Sequence, residues 1–565
     1  MMVIILFVGG LIKGSHAQSI YDSAFAEIAR TYPEKLLVFT DRTLYSVNES
    51  ILFSALLQSG NEAYGLGSKA LYVELVNSSG TSVAKAKYLI KENRSSGQLS
   101  IPANSLSGSY YLRSYTRWMR NFGPQEFSYI PIRVVNPYSS DVVMDSPAPG
   151  LTDLSAVPAG IRNISSTPSR RTYHAGDRVE VELSLENGSI NHVQDACISV
   201  VPLGAIDTAI FRYQVDSKPE RTAPFQFNFL PDIKGTSISG LALESNNQKP
   251  ASGSRIHFSI LGEDAAYIVT ESDPGGRFLI STPLRTGNME MFVVPEYLPG
   301  YPVEVRIDND FTSESLPFQP GPFKLSQEEQ VLASRLALHM QLQGTFLADS
   351  AASEARLTEE TEPIPFYGTP EISVSMGEFI NLPNLEEVIE NLIPKTFVER
   401  RGGEVHFLIK SENPMISMFP PLILIDHIPV FDMEVIMAIP PSKLDHIEVI
   451  PEVYVLGEVK YGGIISFTSR EGALASIKLP DGSYFFDYLG FQPSSIPQGT
   501  RYSGPGKIPD TRNTLYWMDQ LELQKGSPKK VSFQSSGIPG RYLILVRGVS
   551  STGDFVYGMD HFTVE

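Results

Sequence analysis

Apolar positions fall along most of the chain in short runs with period two, the pattern of half-buried strands. Leu36 to Thr40, Ile51 to Leu57 and Ala70 to Val76 are such runs, and 85 to 90, 108 to 116 and 127 to 135 follow at the spacing of a β-sandwich of about 100 residues. Asn136 to Pro158 is rich in Pro, Ser and Asp and reads as a linker. Beyond it, Arg178-Val179-Glu180-Val181-Glu182-Leu183 alternates strictly and 196 to 203 is largely apolar, which predicts a second sandwich from about 160. Runs at 240 to 243, 256 to 260, 266 to 269 and 275 to 280 predict a separate small β unit. Helical spacing is confined to a few places. Ile20, Phe25, Ile28 and Ala29 predict a short helix ending at Pro33. Val331, Leu332, Leu336, Leu338 and Met340 follow a Ser326-x-x-Glu329 capping box and predict an amphipathic connector helix over 326 to 346. From about 370 the pattern is mixed, with a helix near 383 to 393 and apolar strands at 404 to 410, 421 to 425 and 445 to 450. After 471 it returns to strands.

A chain of 565 residues is too long for one hydrophobic core, so three to five domains are expected. Tyr 25, Phe 30, Gly 44 and Pro 41 against Trp 2 fit many short strands and turns. The expected class is mainly β, a multi-domain array of β-sandwiches with one small α+β domain. With 45 basic and 63 acidic residues the formal charge is −18, which repels nucleic acid and anionic membrane surfaces; no nucleic-acid partner is expected. Met1 to Ile12 is almost wholly apolar and Ser15-His16-Ala17 follows, the pattern of a signal peptide cleaved after Ala17. No Lys or Arg precedes the apolar run, which fits a start site placed a few codons late; a buried N-terminal strand is the alternative. No later run is long enough for a membrane helix, so no integral span is expected. The lone Cys197 allows no internal disulfide and no cysteine zinc cluster, and its apolar setting favours a buried structural thiol over a nucleophile.

Catalytic patterns are scarce. There is no His-Glu-x-x-His and no Gly-x-Ser-x-Gly. His427 and His446 are the one pair worth weighing as metal ligands, and turn or surface histidines are the simpler reading. Gly65-Leu66-Gly67-Ser68-Lys69 lacks the spacing of a phosphate loop and reads as a hairpin loop, and Asp308-Asn309-Asp310 reads as a solvated loop. No enzyme activity, no cofactor and no metal are expected. Tyr110, Tyr111, Tyr115, Trp118 and Phe122 form an aromatic run that serves either a sandwich core or a binding face.

Val38 to Phe53 holds a D-R-x-x-Y-x-x-x-E core, Asp41, Arg42, Tyr45 and Glu49, and resembles a macroglobulin-like domain. Gly108 to Gly123 is similar to a segment of large exported proteins of the Bacteroidetes lineage that join such a domain to a receptor plug. Residues 235 to 300, with Asp273-Pro274-Gly275-Gly276-Arg277-Phe278, are similar to carboxypeptidase-regulatory-like modules. Pro421 to Val430, Leu444 to Ile450 and Tyr461 to Thr468 resemble the plug of TonB-dependent outer-membrane receptors, with Asp426 in the central turn. A transporter barrel needs several hundred residues after its plug, and 95 remain from 471 to 565, so a complete transporter is not expected. The thioester of trapping macroglobulins is excluded, because Ile198-Ser199-Val200 follows Cys197.

The expected layout is a signal peptide at 1–17, an N-terminal helix and macroglobulin-like sandwich at 18–136, a second sandwich at 159–230 and a regulatory-like module at 231–310. A helical connector at 311–364, a plug-like domain at 365–470 and a C-terminal sandwich at 471–565 complete it. The resemblance implies an exported, non-catalytic accessory protein, outer-membrane-associated, periplasmic or at the cell surface, that docks to an outer-membrane barrel or a transport or secretion assembly. The alternative is a glycan- or protein-binding adhesin. Trp118, Tyr115, Asp426 and His427 are the candidate partner-binding residues.

Overall fold

A computed structural model describes residues 34–59, 67–143, 154–158, 160–186, 188, 190–207, 210–215, 228–262, 265–296, 302–351, 365–378, 382–457, 459–470, 472, 477, 482–493 and 512–565. The expected signal peptide and the helix before Pro33 lie outside them. The class is mainly β, built as several two-sheet units.

The first unit is a two-sheet sandwich. Glu34–Thr40, Ser50–Ser59 and Arg94–Ser100 form one sheet, and Leu44–Ser46, Ser128–Val135, Gly108–Tyr115, Ala70–Asn77 and Ser82–Leu89 form the other. Alternate residues such as Ile51, Phe53, Leu71, Val73 and Leu112 meet between the sheets. Burying them supplies the driving force, at about 25 cal/mol per Å² of apolar surface.

The second unit departs from expectation. His192–Pro202 lies between Tyr516–Gln524 and Gly540–Ser550 in one sheet, and Arg178–Leu185 lies between Ile164–Pro168 and Lys529–Gln534 in the other. Segments expected as separate sandwiches at 159–230 and 471–565 are therefore halves of a single one. The physical reason is that each half is short of neighbours: His192–Pro202 carries the continuous apolar run of a central strand and needs a partner on both edges.

The next unit repeats this device. Ser237–Glu244 pairs with Arg277–Ser281 and Val303–Ile307, while Arg255–Ile260 pairs with Ala266–Glu271 and Asn288–Pro295. Its outer strand comes from beyond the expected boundary, since Tyr484–Leu489 pairs with Asn288–Pro295. Between Ile307 and Tyr484 sits a small α+β unit, in which Ile372–Ser375, Leu444–Ile450, Ile464–Ser469, Leu422–Ile425 and Ile428–Pro429 form a five-stranded sheet. Helices Leu385–Leu392 and Met433–Met437 and the hairpin of Thr396–Arg401 with Glu404–Ile409 accompany it. The units are thus nested: the α+β unit is inserted in the β module, and the β module in the second sandwich.

The helix Gln327–Ala351 starts at its capping box, where Ser326 N–H donates to Glu329 at 2.8 Å and Glu329 N–H donates to Ser326 Oγ at 3.2 Å. It does more than connect. Leu332, Ala333 and Leu336 pack against Leu44 of the first sandwich and Val201, Leu543 and Leu545 of the second. Among the described residues no helix is long and apolar enough to cross a membrane.

The D-R-x-x-Y-x-x-x-E residues lock the two sandwiches together. Arg42, buried, donates from Nη2 to Glu49 Oε1 at 2.9 Å and from Nε to Thr514 Oγ1 at 2.9 Å. Tyr45 donates to Asp41 at 2.6 Å, and Asn513 donates to Glu49 at 2.7 Å and to the Leu336 carbonyl at 3.0 Å. One buried polar network therefore ties the first sandwich, the second and the helix.

Candidate functional site: a groove with a bare strand edge

The four residues singled out from sequence fall in two places, neither of them an open face. Tyr115 is fully buried, stacks on Phe127 at 4.5 Å between ring centroids and donates to Glu74 at 2.7 Å. Trp118 is buried at the start of the short turn Trp118–Phe122 and packs edge-on against Phe122. Both belong to the interior, which corrects their candidacy as partner-binding residues; alternation along Gly108–Tyr115 leaves the aromatic run no solvent side where the neighbouring β module covers it.

Asp426 and His427 form the two-residue turn between Leu422–Ile425 and Ile428–Pro429, both with positive φ, 47° and 66°. Asp tolerates that region because its short carboxylate finds local donors. Here the donors are Ser469 N–H at 2.8 Å and Ser469 Oγ at 2.6 Å, so Asp426 pins the turn to the sheet. The His427 carbonyl accepts from Ser259 Oγ of the β module at 2.8 Å, which makes the turn a joint between units. Burial lowers the His427 pKa below its ordinary value. His446 stands beside Asp445, and among the described residues no three His, Cys, Asp or Glu side chains gather for a metal ion.

Next to this joint runs a half-open groove of about 1260 Å³ between the β module and the α+β unit. Arg255, His257 and Glu296 line it from the module, and every residue of the strand Glu404–Ile409 lines it from the other side. That volume exceeds the roughly 300–1,000 Å³ of ordinary small-molecule pockets and suits a longer guest.

The hairpin explains how the strand is presented. Arg401 and Glu404 flank the two-residue loop Gly402-Gly403, whose positive φ values of 62° and 94° glycine adopts freely. Counting from that closing pair, Glu404, His406 and Leu408 face Thr396–Arg401, and Lys410 N–H continues the ladder to the Lys395 carbonyl at 2.7 Å. The backbone groups of Val405, Phe407 and Ile409 therefore point to the opposite edge. Among the described residues no strand pairs there. Val405, Phe407 and Ile409 are buried as whole residues, backbone included, at 4%, 3% and 7% exposure, so the edge is rigidly held and lies recessed in the groove wall. Phe397 and Met418, both largely exposed, add apolar surface along the groove.

The groove floor carries an unsatisfied group. His257 Nδ1 lies 2.7 Å from Tyr267 Oη, whereas Nε2 makes no hydrogen bond and stands 3.9 Å from Glu296. Arg255 reaches the same carboxylate at 3.4 Å. Burial pushes the His257 pKa below its ordinary value, so the ring is neutral near pH 7.

Sequence alone pointed near this place through Asp426 and His427 but missed the groove. The Gly402-Gly403 loop was the available signal for a hairpin; whether its second strand has a neighbour is a property of the assembled fold.

No family model matches the chain. No curated protein matches it either. Among solved structures, Escherichia coli alpha-2-macroglobulin in its native conformation aligns with 94% of this chain and 40% of its own at 10% identity and a TM-score of 0.24. Salmonella alpha-2-macroglobulin reacted with methylamine aligns at 10% identity over 94% and 39%, with a TM-score of 0.23. The D0-D1 domain of intimin aligns at 13% identity over 46% of this chain and 91% of its own, with a TM-score of 0.13. This chain spans about two fifths of the length of those macroglobulins. At such identities and TM-scores the alignments establish neither a common overall architecture nor a common activity.

Proposed function

We propose that this chain is a non-catalytic, exported cell-envelope component that captures an extended segment of a partner protein by strand addition along Glu404–Ile409. The single observation that carries the reading is the strand edge at Val405, Phe407 and Ile409, unpaired among the described residues and lining a groove of about 1260 Å³. Strand addition draws affinity from main-chain hydrogen bonds and specificity from the pockets that receive alternate side chains. Each bond is worth about 0.5–1.5 kcal/mol net. A guest strand spanning the three outward residues thus gains several kcal/mol before its own side chains count.

The plug-like resemblance of 365–470 makes an outer-membrane barrel or a transport or secretion assembly the expected owner of that segment. The test is cross-linking in the native cell from a photoreactive residue at Leu408, followed by purification and peptide mapping. An extended segment of an envelope protein attached at Leu408 supports the proposal. Retention of the partner after Glu404–Ile409 is blocked, or cross-linking only to glycan, refutes strand capture and returns the adhesin reading.

A further inference from the structure

Lys87 is a fully buried lysine in the strand Ser82–Leu89 of the first sandwich. Its Nζ lies 2.5 Å from Oδ2 of Asp310, whose side chain is 10% exposed and which follows the strand Val303–Ile307 of the β module. Aromatic rings enclose the pair: the ring centroids of Tyr488, Tyr72 and Phe311 stand 3.9, 5.7 and 5.9 Å from Nζ. Both backbones are held as well. The Lys87 carbonyl accepts from Gln492 N–H at 2.7 Å, and the Asp310 carbonyl accepts from Arg120 at 2.8 Å. A second carboxyl belongs to the same pocket. Asp232, fully buried, accepts from Tyr72 Oη at 3.0 Å and from Ser237 N–H at 2.7 Å.

We propose that Lys87 and Asp310 are joined by an intramolecular isopeptide bond between Nζ and Cγ, which staples the first sandwich to the β module. A contact of 2.5 Å to Oδ2 puts the nitrogen within roughly the 3–3.5 Å range of a near-attack arrangement on Cγ. Effective molarities of about 10⁵–10⁸ M for held groups drive amide formation that is unfavourable between free solutes. The pocket favours the neutral amine that the reaction consumes. Burial lowers the Lys87 pKa, and taking two ions out of water costs several kcal/mol each, a cost that condensation removes along with both charges.

The atoms balance without a co-reactant. Proton transfer within the pair gives a neutral amine and a carboxylic acid. The amine lone pair attacks Cγ, one C–O bond breaks, and the departing hydroxyl leaves as water with a proton from nitrogen. Asp232, whose pKa burial raises, is the acid that relays this proton through the pocket.

The full-length protein, purified and digested with trypsin, tests the proposal by tandem mass spectrometry. The expected species is the peptide Ala86 to Lys91 joined to Ile307 to Lys324, lighter than their sum by one water. Lys87→Arg and Asp310→Ala eliminate it, and Asp232→Asn lowers the joined fraction at a given time after synthesis. In denaturing gels the wild-type chain, closed into a loop, runs faster than Lys87→Arg, a readout independent of folding. Recovery of Tyr88 to Lys91 and Ile307 to Lys324 solely as free linear peptides from the wild type overturns the proposal and leaves a plain buried ion pair.

Discussion

Replacing Arg42 by Met isolates the polar lock between the two sandwiches. Arg42 is 3% exposed, and its guanidinium holds Glu49 by two bonds of 2.9 and 3.3 Å and touches Asp41 and Thr514 at 3.3 and 2.9 Å. Met fills most of the volume and carries none of the charge. Two carboxylates with side chains 1% and 8% exposed then stay behind without a cation, although Tyr45, Thr514 and Asn513 still donate to them. Removing one partner of a buried pair costs about 3–5 kcal/mol, far above the roughly 0–1 kcal/mol of a surface pair. With urea slopes of about 1–3 kcal/mol per M, the midpoint falls by roughly 1–5 M. Tryptophan fluorescence is the assay because Trp118 reports the first sandwich and Trp517 the second. The wild type is expected to lose both signals together. Arg42→Met is expected to lose them at separate, lower midpoints, with Arg42→Lys between. An unfolding free energy within about 0.5 kcal/mol of wild type would show that the network is ornamental and refute the lock.

Val405→Pro removes an outward N–H and none of the hairpin's ladder bonds, so the fold is expected to survive while partner capture weakens at least about tenfold, measured by pull-down or titration with the mapped segment. Burial pushes the Cys197 thiol up to about 11, so thiol reagents at pH 8 are expected to label the protein only after denaturant is added. His257 has a lowered pKa in the fold and the ordinary value of 6.5 in the unfolded chain, so the unfolded chain binds the extra proton. Stability of the β module is therefore present above pH 6.5 and declines as pH falls through that value, and His257→Leu flattens the slope in melts taken from pH 7.5 to 5.5.

Much of the fold was legible because burial alternates with the residues. Arg178–Leu185 alternates exposed and buried as its sequence does, and the capping box at Ser326 marks its helix start. Pairing was not legible. A strand's pattern states that one face is covered and leaves open which strand lies beside it, so 192–202 and 540–550 read as members of two sandwiches although they share a sheet. The candidate site suffered from the same limit. Tyr115 and Trp118 look like a binding face until the β module is placed against them, and Val405 looks like any other strand residue until its outer edge is found without a neighbour.

The nested order of the units also fixes a timetable. During synthesis Arg178–Leu185 and His192–Pro202 emerge early, yet the strands that complete their sheets, Tyr516–Gln524, Lys529–Gln534 and Gly540–Ser550, emerge last. The unfinished half exposes apolar strand surface over that whole interval, the condition that promotes misassembly between chains. The inserted units close first. Any ribosomal pause or truncation between 307 and 516 leaves a chain with a finished first sandwich and a waiting half-sandwich, a species that chaperones and proteases recognise.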